Sequence, residues 1–189
     1  MRLLLLATLT VVPLAARAAV PELELAPGVA VSNDASQAAP SVRARMGVRF
    51  PWFTPSLVVF GAATSTPGPK SHNRQDGGLQ AWAFAAEVAV HNDGANQLSA
   101  AFGAGVGRLI VAQQSDGDYS TYAGEVAPCV EATLGYRHLF ERFTVGIEGT
   151  LQVFNRVTYF SDVGTDRNGR LYLGGSPIIG VAVSFGFDL

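Results

Sequence analysis

The chain has 189 residues, the length of a single domain, and 21 of them are glycine. Only 15% of the residues are charged and the formal net charge is −2, whereas an ordinary soluble domain carries roughly 25% charged residues. Lys70 is the only lysine and no basic run occurs, so nucleic acid is excluded as an expected partner. Cys129 is the only cysteine, which excludes an intramolecular disulfide.

The first 18 residues have the pattern of a secretory signal peptide. Arg2 supplies the positive first region, residues 3–14 form the apolar region, and Ala16-Arg17-Ala18 is a small-x-small cleavage site. The apolar run is shorter than the roughly 20 residues that a membrane-spanning helix needs. We therefore expect residues 1–18 to be a signal peptide and residues 19–189 to form one exported domain.

Eight later segments alternate apolar side chains with small or polar ones, and this period of two predicts β-strands. The clearest is the second, in which apolar residues alternate with three arginines and other polar or small residues. Pro27-Gly28 and Pro128 interrupt two of the segments, so we expect a bulge or bend at Pro27-Gly28 and a local bulge at Pro128. The predicted strands are Glu22–Val31, Ser41–Phe50, Ser56–Thr64, Leu79–Val90, Gln97–Ala112, Thr121–Arg137, Phe143–Val153 and Ile178–Leu189.

The connections between these strands alternate between short and long. The short ones are Pro51–Pro55, His91–Asn96 and His138–Arg142; the long ones are Ser32–Pro40, Thr64–Gly78, Gln113–Ser120 and Phe154–Arg170. In an antiparallel barrel, alternate connections lie at opposite ends. Short turns at one end and long loops at the other are typical of outer-membrane barrels, whose turns are periplasmic and whose loops are extracellular.

The last strand places Val183, Phe185, Phe187 and Leu189 on one face, with small or polar residues between them. It resembles the C-terminal strand of bacterial outer-membrane β-barrels, which the barrel assembly machinery reads as an insertion signal. That family usually ends on Phe, whereas this chain ends on Leu189 with Phe187 two residues earlier.

The whole chain after residue 18 resembles, in pattern, the small outer-membrane barrels of the OmpA and OmpX type. The resemblance implies an all-β fold, an eight-stranded antiparallel up-and-down transmembrane β-barrel. It also implies a place in the bacterial outer membrane with both termini periplasmic. The expected partners are outer-membrane lipid and the barrel assembly machinery, and we expect a monomer.

A soluble eight-stranded barrel of lipocalin type is the main alternative fold. Its outer face would then be formed by the residues that alternate with the large apolar ones, and these are Gly, Ala, Ser and Thr with scattered Arg and Glu. That set is too small and too poor in Lys and Glu for a solvated surface. It suits the narrow lumen of an eight-stranded barrel, so we expect the apolar face to point outward.

Charged residues on the inward faces predict an ion-pair network that plugs the lumen. Counting from the short turns places Arg45, Glu131 and Glu148 near mid-height, where the Arg45 guanidinium could bridge both carboxylates. Further members of the predicted network are Arg43 and Glu125 and, lower in the barrel, Arg49, Glu87 and Arg137.

The sequence contains no arrangement that demands catalysis, a metal or a cofactor. His72 lies in a long polar connection, whereas His91 and His138 lie at short turns, on the wrong side for lipid A of the outer leaflet. We therefore expect a non-enzymatic protein with a structural or surface-interaction role and an unknown extracellular ligand. A minimal passive pore and a lipid A-modifying enzyme are the alternatives.

Overall fold

The computed structural model describes residues 19–32, 38–64, 79–115, 118–123, 126–154, 157–159, 171–173 and 177–189. The predicted signal peptide and most of three long connections lie outside these residues. None of the described residues belongs to a helix of the length and hydropathy that crossing a membrane requires. The strands are β1 Val20–Ser32, β2 Ala39–Arg49, β3 Phe53–Ala63, β4 Leu79–His91, β5 Asn96–Ser115, β6 Asp118–Ala123, β7 Ala127–Phe140, β8 Phe143–Phe154, β9 Val157–Tyr159, β10 Leu171–Leu173 and β11 Pro177–Asp188.

Eight of these strands close into one antiparallel barrel. Neighbours along the chain pair in order from β1 to β5, then β5 pairs with β7, β7 with β8 and β8 with β11. β11 pairs back to β1 and closes the barrel, so no barrel strand has a free edge. β6 pairs with the last six residues of β5, Ile110–Ser115, and β9 pairs with β10. The predicted eight-stranded up-and-down barrel is confirmed.

The barrel strands are staggered. A path through paired residues once around the barrel starts at Glu22 and returns to β1 at Ser32, ten residues further along. Closure with this stagger tilts the strands by about 40° from the barrel axis. The path runs through Glu22, Gly47, Ser56, Glu87, Gly103, Glu131, Gln152, Ile178 and Ser32.

The two faces of the strands differ in the way predicted. Large apolar side chains cover the outside, and Leu134 and Phe102 are 70% and 64% exposed there. The alternate positions point inward and include buried Arg, Glu, Gln and Thr residues. This distribution is the reverse of that in a soluble barrel, so the lipocalin-type alternative is wrong.

The short turns and both described chain ends lie at the same end of the barrel. Val20 pairs with Arg49 next to the first short turn, and Phe187 pairs with Phe143 next to the last. The middle turn contains Gly94 at a φ of 111°, a left-handed conformation that glycine adopts at little cost. We call this the short-turn end, and the opposite end the long-connection end.

The connection predicted as Gln113–Ser120 is shorter than expected. β5 continues to Ser115, β6 begins at Asp118, and these two residues pair. The prediction was wrong because polar residues indicate only that a segment contacts water. A paired hairpin that extends beyond the barrel contacts water as a loop does.

The irregularity expected at Pro27-Gly28, a bulge or a bend, is not a bulge. The register between β1 and β11 is the same before and after Pro27-Gly28, so no residue is inserted there. Pro27 lacks an N–H group, and the ladder to β11 is interrupted without a shift.

Pro128 itself is paired in regular register, since it faces Val106 just as Ala127 faces Gly107. Towards the long-connection end the register changes by one residue, because β5 pairs Gly107 with Ala127 but Ile110 with Ala123. One extra residue on one strand defines a β-bulge.

Candidate functional site

Ten charged side chains from the described strands point into the barrel at its short-turn side. They are buried or nearly so, although burial of unpaired charge is costly. Strand alternation puts them on the inner face, and the stagger of the barrel brings them together. The carboxylates are Glu22, Glu24, Glu87, Glu131, Glu148 and Asp188, and the guanidinium groups are Arg43, Arg45, Arg49 and Arg137.

Arg43 contacts three carboxylates from different strands. Its Nη2 donates to Glu87 and, at 3.0 Å, to Oε1 of Glu131. Its Nη1 lies 3.4 Å from Oε1 of Glu148. The side-chain amide of Gln152 donates to the other oxygen of Glu131 at 3.0 Å. Arg43 thus ties β2 to β4, β7 and β8 across the lumen.

Arg45, the next inward-facing residue of β2 after Arg43, also contacts three carboxylates. Its Nη1 donates to Glu24, its Nε to Oε1 of Glu87 at 2.8 Å, and its Nη2 to Oε2 of Glu148 at 3.3 Å. From the sequence we expected Arg45 to bridge both Glu131 and Glu148. In the structure Arg45 contacts Glu148, whereas Arg43 contacts Glu131. Glu87, expected lower down, is shared by both arginines.

The network continues towards the short-turn end through Arg137 and Arg49. Arg137 donates from Nε to Gln97 at 2.8 Å, and its Nη1 lies 3.4 Å from Glu22. Arg49 pairs with Asp188 and lies 3.5 Å from Glu22.

Sequence reasoning missed Glu22, Glu24 and Asp188. The signal was present, because Glu22 and Glu24 flank Leu23 and therefore share the face opposite to it. The predicted member Glu125 lies outside the described residues.

An apolar layer fills the lumen on the side of the long connections. Its largest members are Phe60, Leu79, Leu109, Phe154 and Ile178, each with 5% or less of its surface exposed. Cys129 is buried in the same layer, as a small apolar residue would be. The lumen therefore has a charged layer and an apolar layer in series.

Little space remains among the charged residues. The lumen cavity beside Glu22, Glu24, Arg45 and Glu148 has a volume of about 20 Å³. A cavity of that size holds about one water molecule.

The surroundings of His91 bear on catalysis, and the grouping of His, Cys, Asp and Glu side chains bears on metal binding. His91 is buried, and its Nε2 lies 3.2 Å from Oγ1 of Thr54. Its Nδ1 faces the backbone oxygen of Asn92 at 3.3 Å, so no carboxylate orients the ring as in a catalytic triad. In the described part of the chain no three His, Cys, Asp or Glu side chains converge as a metal site requires.

No protein-family model matches the chain, and no curated protein matches it. Solved structures that the chain matches over nearly their whole length include two outer-membrane proteins. Neisserial surface protein A is 11% identical with a TM-score of 0.56, covering 91% of this chain and 97% of that one. Ail, the attachment invasion locus protein of Yersinia pestis, solved in complex with the heparin analogue sucrose octasulfate, is 9% identical with a TM-score of 0.51. That match covers 90% of this chain and 97% of Ail. The chain therefore has the fold of the small eight-stranded β-barrels of bacterial outer membranes.

Proposed function

We propose that the protein spans the bacterial outer membrane as a sealed barrel with a structural or surface-interaction role. The observation that carries this proposal is the apolar outer wall around a charged, buried interior. In water such a wall would be a large aggregation-prone patch. In a bilayer it faces acyl chains, and the closed strand pairing satisfies the backbone groups that lipid cannot.

The two layers of the lumen favour a plugged barrel over a passive pore. The charged layer is held by arginines that each contact two or three carboxylates. Beyond it, the rings of Phe60 and Phe154 and their apolar neighbours offer an ion no polar ligand. An ion would have to break the first layer and then enter the second without its hydration shell, which costs many kcal/mol.

The C-terminal strand supports insertion by the barrel assembly machinery, and the state that we propose in lipid is a monomer. Val183, Phe185, Phe187 and Leu189 all lie on the outer face, where Phe187 is 53% and Leu189 75% exposed. Because these four apolar side chains point outward, they can contact the assembly machinery during insertion and the lipid afterwards.

The surface role is assigned to the long connections, at the end opposite the two chain termini. Ail, which shares the fold, was solved with a heparin analogue, so a barrel of this size can carry a site for an external ligand. For this chain the ligand class is open, and the proposed role is non-enzymatic.

Cell fractionation together with bilayer recording tests this proposal. We expect the protein in the outer-membrane fraction, with a gel mobility that changes on heating because the barrel resists detergent until it is heated. In planar bilayers the folded protein should produce no stable conductance steps. Recovery in the soluble periplasmic fraction would contradict the membrane location, and regular conductance steps would favour the pore.

A further inference from the structure

The charged layer of the lumen contains more carboxylates than guanidinium groups. Of its ten charged side chains, six are acidic and four are basic. Arg49 and Asp188 pair near the short-turn end, where their side chains are 11% and 13% exposed. The side chains of the other five carboxylates are 5% exposed or less, and they face three guanidinium groups. The interior therefore has an excess of negative charge that water cannot readily offset.

The small cavity in this layer is lined by three of the carboxylates. Glu22, Glu24 and Glu148 lie around it together with Arg45 and Arg137, so its charged walls also have one more negative than positive group. Its volume of about 20 Å³ holds one particle of the size of a water molecule. Four hydroxyl side chains also line it, those of Thr54, Ser99, Thr133 and Ser184.

One of these hydroxyl groups is not used within the protein. Thr133 is 3% exposed, and its Oγ1 has no hydrogen-bond partner among the described residues. The Ser99 hydroxyl, by contrast, donates to the Gly135 backbone oxygen at 3.4 Å, and Oγ1 of Thr54 lies 3.2 Å from Nε2 of His91. A buried hydroxyl without a partner is costly, and its oxygen has lone pairs that can bind a cation. Because Thr133 lines the cavity, an ion there can use this oxygen.

Two of the carboxylates at the cavity make long ion pairs. Both oxygens of Glu22 lie 3.4 Å from Nη1 of Arg137, and those of Glu148 lie 3.3 Å and 3.4 Å from two arginines. Glu131, which does not line the cavity, accepts from Arg43 at 3.0 Å. Hydrogen bonds between ionised groups are typically about 2.7–2.9 Å long. The arginines therefore leave Glu22 and Glu148 able to attract a further cation.

We propose that this cavity binds one monovalent cation of the size of Na⁺, which offsets part of the negative charge in the lumen. Its ligands are carboxylate oxygens of Glu22 and Glu148 and Oγ1 of Thr133, since small hard cations prefer oxygen ligands. A single positive charge balances the excess on the cavity wall. A divalent ion is disfavoured, because no three acidic side chains of the described strands converge as such a metal requires. The site lies inside the barrel and is independent of the proposed surface role.

Stability in different salts tests the site. The folded barrel in vesicles is titrated with urea while sodium chloride replaces choline chloride at constant ionic strength, because choline is too large for the cavity. Raising Na⁺ from about 1 mM to about 100 mM should raise the folded-to-unfolded ratio about tenfold, as one site with a Kd of about 10 mM gives. Line broadening in sodium NMR should show binding by the folded barrel directly.

Two variants remove proposed ligands. Thr133→Val removes the hydroxyl and keeps the shape of the side chain. It should fold normally, since the hydroxyl that it removes is buried without a partner, and it should lose most of the sodium effect. Glu22→Gln removes one negative charge from the wall and should lose the sodium effect as well. Thr144→Val is the matched control, because Thr144 is 5% exposed but does not line the cavity, and it should keep the full effect.

Three results would overturn the proposal. Equal stability in sodium chloride and choline chloride would show that no small cation enters the cavity. A sodium effect that survives in Thr133→Val would place the ion elsewhere on the protein. A barrel that does not respond to sodium but gains stability as the pH falls would show that protons balance the excess charge. None of these results would alter the proposed location in the outer membrane, which fractionation tests separately.

Discussion

Nη2 of Arg43 lies 3.0 Å from Oε1 of Glu131, although 88 positions separate the two residues in the chain. The contact crosses the lumen from β2 to β7 and exists only when the barrel is closed. Arg43 and Arg45 share Glu87 and Glu148, so neither arginine can be removed without stranding carboxylates in the interior.

The first prediction concerns this network. Arg43→Ala leaves buried carboxylates without a partner, and we expect the free energy of unfolding to fall by about 3–5 kcal/mol. Urea titration of the protein in vesicles, followed by the heat-sensitive gel shift, measures the change.

Arg142→Ala is the matched control because Arg142 is exposed in the last short turn. It should change stability by no more than about 0.5 kcal/mol. An Arg43→Ala barrel as stable as the wild type would show that the inward charges are solvated without pairing.

The second prediction concerns the space that inward glycines leave for the network. A Cβ at Gly103 would lie 2.8 Å from Oε1 of Glu131 and 2.9 Å from its Cγ. Gly103→Ala should therefore displace Glu131 from Arg43 and cost about 1–3 kcal/mol, as overpacking does.

Gly61→Ala tests the same substitution where an added Cβ meets nothing within 4 Å. We expect Gly61→Ala to be neutral or slightly stabilising, since alanine restricts the unfolded chain more than glycine does. Equal losses for the two variants in a denaturant titration would mean that backbone propensity, and not the space for Glu131, requires glycine.

The third prediction separates the two layers of the lumen. Phe154 is fully buried in the apolar layer, so Phe154→Ala should cost about 3–5 kcal/mol by leaving a cavity. Phe102→Ala removes the same ring from the outer wall, where lipid can fill the space, and should cost less.

Conductance measurements test the two layers of the lumen independently of stability. Arg45→Ala opens only the charged layer, and the apolar layer behind it should keep the barrel closed in planar bilayers. The sequence analysis predicted only the charged plug and did not predict this apolar layer. Stable conductance of Arg45→Ala would show that the charged layer is the only seal.

The fold was predictable because a barrel wall repeats one simple rule. Each strand alternates between lipid-facing and lumen-facing residues, and this rule identified the eight barrel strands and the direction of each face. The bounds were less accurate; for example, β3 begins at Phe53 and not at Ser56. Strand ends that are polar or contain proline lack the alternating pattern, so the sequence does not show where such strands begin or end.

The partners within the lumen were harder to predict, because height in a barrel depends on stagger as well as on residue number. Counting from the short turns placed Glu87 below Arg45, yet Arg45 donates to Glu87 at 2.8 Å. The ten-residue offset around the barrel is set by all the strand registers together. No single strand sequence contains that information.

The fourth prediction concerns which end of the barrel faces the cell exterior. The described termini and the short turns share one end, which the outer-membrane reading places in the periplasm. Asp93 lies exposed in a short turn, and Lys70 belongs to the long connection between β3 and β4. A cysteine introduced at each position, in a Cys129→Ala background, reports the side directly.

A membrane-impermeant maleimide added to intact cells should label Lys70→Cys and spare Asp93→Cys. Permeabilising the outer membrane should then expose Asp93→Cys, which controls for its reactivity. Cys129 in the wild-type protein should stay unlabelled in both cases, because it is buried inside the barrel with only 3% of its surface exposed. Labelling of Asp93→Cys on intact cells, with Lys70→Cys protected, would mean that the short turns face outward and that the barrel is inserted in the opposite sense.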